Sequence, residues 1–212
     1  MKKTISLLII ASSFCFSLFA QSDKFTSAMA TTLQQYEAAK TAEDLIAVEA
    51  KFERIGDAEK TQWLPYYYAA LVKARMAQQR QGGDPDKVAD DAQVLLDKAE
   101  SLSPKNSEIY CVKYIIASAR LIVDPQSRYM QYLPVMEEAI TNAKKADPTN
   151  PRPYVLQAIG TKNTPESFGG GCAPAKPLAQ KALEMYTTFK PASALNPNWG
   201  KEIAESIIND CK

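Results

Sequence analysis

The chain has 212 residues, 25 basic and 24 acidic, with a formal net charge of +1 and 46% hydrophobic side chains. Such a balance gives no electrostatic case for nucleic acid or an anionic membrane surface as partner. Histidine is absent altogether, which excludes every mechanism that needs an imidazole base or an imidazole metal ligand.

The first twenty residues read as a secretory signal: Lys2 and Lys3, an apolar stretch from Ile5 to Phe19, then Ala20 before Gln21. The stretch is short for a bilayer and runs at once into Gln21, Ser22, Asp23 and Lys24, so a lasting membrane anchor is not expected. Cys15 follows the bulky Phe14 and is read as part of the discarded segment, with no lipid attached. Cleavage after Ala20 leaves residues 21–212 as one domain, with 23 basic and 24 acidic side chains, in the periplasm or outside the cell. Three cysteines survive export, Cys111, Cys172 and Cys211, in a compartment that permits disulfides.

Helices are predicted over 22–39, 41–55, 61–80, 85–102, 106–122, 126–146, 151–160, 174–189 and 197–211. Thr41 heads a capping-box pattern, and Asp84-Pro85, Asp124-Pro125 and Asn150-Pro151 each put a capping side chain before a first-turn proline. No stretch alternates with the two-residue period of a half-buried strand. A repeat of about 44 residues runs through these helices. Ala92, Leu96, Ala99 and Pro104 share their spacing with Met136, Ile140, Ala143 and Pro148, and again with Ala179, Leu183, Tyr186 and Pro191. Val48, Phe52 and Ile55 make a fainter first copy. Positions four and three apart lie on one helical face, so each set is an apolar stripe, and the proline after it stops the helix. Tyr66, Tyr110, Tyr154 and Trp199 continue the period as aromatics at the next helix. A lone hairpin cannot bury such a stripe, and stacking against a neighbour does.

This order of small, large, small and proline, with an aromatic after it, resembles the tetratricopeptide repeat, although that family's period is about 34 residues. More narrowly, Asn150–Tyr154, the run Thr164–Gly171 (TPESFGGG), Ala175–Leu178 and Asn196–Gly200 (NPNWG) resemble a group of exported bacterial tetratricopeptide-like proteins. The resemblance implies an all-α, right-handed superhelix of stacked antiparallel helix pairs in an exported protein. It implies no activity. The extra length per unit is expected in the loops 80–84, 123–126 and 161–173.

Three groups of residues stand out as candidate sites. Gly169, Gly170 and Gly171 precede a helix, and with Arg152 and Lys176 nearby they suit an anion, although no phosphate-loop motif follows. The competing expectation is that Phe168 plugs the end of a groove while the glycines let the chain lie flat. Among the aromatics, Tyr66 and Tyr110 keep the repeat register and are expected in the core. Tyr67 and Tyr68 fall off it and suit a groove that holds a partner. Cys172 and Cys211 are the disulfide candidates, with Cys111 a small apolar residue inside its helix. Paired acids such as Asp90 with Asp91 point in different directions on a helix and make no catalytic pair. No calcium loop, zinc-spaced cluster or nucleophile motif appears, so no metal, cofactor or catalytic residue is named. The function expected is a binding scaffold, not an enzyme, whose groove holds a peptide or an envelope or secreted protein. The alternative is a receptor for an anion or glycan at the 161–173 loop.

Overall fold

The computed structural model describes residues 23–211, so the signal-like segment and its cleavage point lie outside the described residues. Among the described residues every regular element is helical: α1 (23–38), α2 (Ala42–Glu59), α3 (Trp63–Gln78), α4 (Pro85–Leu102), α5 (Ser107–Leu121), α6 (Pro125–Ala146), α7 (Arg152–Asn163), a 3-10 turn (Glu166–Phe168), α8 (Cys172–Tyr186) and α9 (Lys201–Asp210). No helix among them is long and apolar enough to cross a membrane.

The starts are set by side chains that satisfy the first, otherwise orphaned, backbone amides. Thr41 accepts from the Asp44 amide at 3.1 Å while the Asp44 carboxylate accepts from the Thr41 amide, closing a capping box on α2. Asp84, Asn106 and Asp124 cap α4, α5 and α6 in the same sense, and Pro85 and Pro125 supply first-turn residues that have no amide to satisfy. Several boundaries differ from expectation: α2 runs on to Glu59, α7 runs on to Asn163, and the starts of α8 and α9 both move. Helix α8 starts two residues early, because Gly171 with φ 91° turns the chain directly into it. Helix α9 starts only at Lys201, since residues 187–200 leave helical geometry and Gly200 sits at φ 112°.

From α2 to α6 and from α7 to α9 each helix packs on the next, and α3, α5, α7 and α9 also touch one another in series. No comparable contact joins α4 to α6 or α6 to α8, and α6 meets α7 far more sparsely than it meets α5. The stripes read from the sequence are buried at Phe52, Ala92, Leu96, Ala99, Ile140, Ala143 and Ala179. Tyr36 meets Phe52 edge-to-face, and Phe52 stacks on Tyr68 with ring centroids 5.2 Å apart. The core has two parts. A large cluster runs from α1 to α6 and takes in Leu156 of α7, and a small one, formed largely by Ala158, Ala175, Ala179, Ala182 and Ala204 with Val155 and Ile207, joins α7, α8 and α9.

Candidate functional site

The side of α3 that carries Tyr67 and Tyr68 is not an open groove. The segment 187–200 between α8 and α9 returns across it as a strap, packing Leu195 and Trp199 against the large cluster. Tyr68 donates its hydroxyl to the Leu195 carbonyl at 2.9 Å, and the Trp199 indole N–H donates to the Tyr67 hydroxyl at 2.9 Å. Tyr186 donates to the Trp199 carbonyl at 2.6 Å. Both Tyr67 and Tyr68 are therefore buried, and burial pushes both phenols well above their ordinary range, which keeps them as neutral donors.

Beneath the strap lies a buried ion pair. Arg152 is 1% exposed, and its Nε donates to the two Glu108 carboxylate oxygens at 2.9 and 2.7 Å. Asn150 donates to Glu108 Oε1 at 2.7 Å and to Ser107 Oγ at 2.9 Å, which holds the start of α7 to the start of α5. The guanidinium carbon stands 4.7 Å from the Phe189 ring centroid and 5.8 Å from that of Trp199, so the strap covers the cation with aromatic faces. Burial raises the Glu108 carboxyl above its ordinary range, while Arg152, Asn150 and Tyr67 pull it back. Both oxygens of this carboxylate are engaged, Oε1 by Asn150 and both by the Arg152 Nε. Beside the strap a cleft of about 420 Å³ is lined by Trp63, Lys105, Glu108, Arg152, Phe189 and Lys190.

The glycine loop is also closed on itself. The amides of Gly169, Gly170 and Gly171 donate to the carbonyls of Glu166, Pro165 and Thr161, so none of the three is left for an anion. A Cβ at Gly170 would collide with the backbone of Thr164, which explains a glycine there by close approach. Lys176 is half-buried in the first turns of α8, and Arg152 lies in the core. The expected plug is corrected: Phe168 is 80% exposed, because the 3-10 turn presents it outward from the end of α7. Cys172 and Cys211 are bonded, with Cα atoms 5.2 Å apart, and Cys111 is free and buried. Burial pushes the Cys111 thiol well up, so it is an inert core residue. A groove of about 360 Å³ between α7 and α9 is lined by Ile159, Lys162, Ile203, Ile207 and Asp210. Among the described residues no cluster of three or more potential metal ligands occurs.

What sequence reasoning missed is a set of apolar side chains left in solvent on α6: Tyr129 at 52%, Met130 at 72%, Leu133 at 43% and Val135 at 45% exposure. The signal was present in the run Tyr129–Met136, which has more apolar residues than one buried stripe can use.

No protein-family model matches the chain, and comparison with curated proteins gives no match. Among solved structures it is similar to the HusA haemophore from Porphyromonas gingivalis, with 33% sequence identity and a TM-score of 0.78 over 89% of this chain and 92% of that one. Identity at that level across nearly the whole of both chains means that the protein belongs to the same family as the HusA haemophore.

Proposed function

We propose that the protein is an exported carrier of haem or a closely related porphyrin, acting by binding and not by catalysis. The observation that carries this reading is kinship with a haemophore over nearly the full length of both chains. Three features support it. The N-terminal twenty residues have the order of an export signal, and the Cys172–Cys211 disulfide suits an oxidising compartment. Apolar side chains on α6 offer contact area for a flat, apolar ligand. We further read the helices as a right-handed, tetratricopeptide-like superhelix with a period near 44 residues; the burial of Leu96 and Ile140, equivalent positions on that reading, supports it. A peptide in the inner groove is the weaker reading, since that face is filled by the chain's own strap.

The composition restricts how iron would be held. With no histidine, the protein ligands left for haem iron are tyrosine, methionine and cysteine. Cys111 is buried and the other described cysteines are bonded to each other, which leaves tyrosine and methionine or no protein ligand at all.

Adding hemin to the chain from Gln21 onward is expected to give a shifted Soret band that saturates at one equivalent, with a Kd of about 1 µM or tighter. The same titration is expected to raise the melting temperature, because a ligand of the folded state stabilises it by mass action. A spectrum that stays that of free hemin, with no change in melting, would retire the carrier reading.

A further inference from the structure

We propose that the porphyrin lies against the side of α6 that turns toward α7, on a wall made by Tyr129, Met130 and Leu133; this rests on the carrier reading above. The two flanks of α6 can be told apart from their partners. On one flank Arg128 forms a two-pronged pair with Asp86 of α4, at 2.6 and 2.8 Å. On the other, Lys144 donates to Gln157 of α7 at 2.7 Å and stands 4.1 Å from the Tyr154 ring centroid. Positions 129, 133, 137, 140 and 144 are spaced by four, four, three and four, so Tyr129 and Leu133 share the flank of Lys144. Met130 stands beside both, one residue from Tyr129 and three from Leu133.

That flank is engaged with α7 only near the end of α6. Helices α6 and α7 are joined by a short turn and touch sparsely. The first turns of α6 leave Tyr129, Met130 and Leu133 exposed to solvent.

The size of the patch decides its occupant. Three partly exposed side chains offer a few hundred Å² at most, well short of the roughly 800 Å² per partner that a stable protein interface buries. A planar macrocycle needs no more, and apolar area flanked by polar groups is how small-ligand sites are built. Gln126 and Glu137, one turn before Tyr129 and one turn after Leu133, are exposed and frame the wall with polar groups.

The test is a hemin titration of three forms of the chain from Gln21 onward: the parent, Met130→Gln/Leu133→Gln, and Val94→Gln as a control at another exposed apolar position. All three should melt within about 2 °C of one another, since surface changes of this kind are close to neutral. The double variant is expected to bind hemin at least about tenfold more weakly, and Val94→Gln to bind as the parent does. Parent-like binding by the double variant would overturn the site and leave the carrier reading standing. Equal weakening in Val94→Gln would overturn it as well, as mere partition onto apolar surface. If the double variant instead abolishes a dimer seen in sedimentation and leaves hemin binding intact, the face joins copies of the chain and the proposal fails. No binding by the parent removes the carrier reading and the site together.

Discussion

Replacing Arg152 by alanine is expected to lower the stability of the protein by about 3–5 kcal/mol, because it leaves the Glu108 carboxylate buried and unpaired. The cost does not come from a lost surface contact. Glu108 and Arg152 stand at the starts of α5 and α7, and Asn150 ties the same carboxylate to the same junction. Burial already lifts the Glu108 carboxyl above its ordinary range with the cation in place, and removing the cation deepens that shift. The strap is affected too, since Phe189 and Trp199 lose the charge they cover. Adding Glu108→Gln to Arg152→Ala should recover part of the loss, since a neutral amide still accepts from Asn150 and carries no charge. Urea unfolding followed by helical circular dichroism measures both. An Arg152→Ala midpoint equal to the parent's would show that the pair does not hold the α5 and α7 starts together.

Breaking the disulfide is the second large effect. Cys172 and Cys211 lie 39 residues apart, and cross-linking a loop of that length stabilises by about 4 kcal/mol on the chain-entropy account. The sequence of the small core makes the dependence local. Alanines provide much of the α7–α9 cluster, and an alanine buries little apolar area compared with the Phe52, Leu71 or Ile116 of the large cluster. Cys172→Ser with Cys211→Ser should therefore free α9 first. Hydrogen exchange is expected to quicken in 201–210 and stay slow in the α3 and α5 amides. Unchanged exchange in α9 after the substitution would mean that packing alone fixes the last helix.

The sequence carried much of the helical layout because its signals are local. Capping side chains, first-turn prolines and the four-and-three spacing of Ala92, Leu96 and Ala99 act within one or two turns, and they mark α4, α5 and α6 within a residue or two. The strap was not legible for the opposite reason. Tyr68 meets the Leu195 carbonyl across 127 positions, and Trp199 meets Tyr67 across 132. No periodicity reports such a contact, so the off-register Tyr67 and Tyr68 read as surface when their partners lay in the last helix–helix connection. The fit of the glycine run to an anion is not decidable from sequence for the same reason. Whether an amide is available depends on the carbonyls around it, and those of Thr161, Pro165 and Glu166 were already turned inward. On α6 the difficulty was of another kind. The apolar excess of Tyr129, Met130 and Leu133 is visible in one dimension, but only the sparse packing of α6 on α7 shows that nothing covers it.

The central claim is that the strap fills the inner face and the cargo is held outside it, on α6. A crystal structure of the protein with gallium protoporphyrin tests this most directly. The macrocycle is expected over Tyr129, Met130 and Leu133, with the Trp199 indole still donating to Tyr67. A macrocycle seated against Tyr67 and Tyr68, with Leu195 and Trp199 displaced, would contradict it.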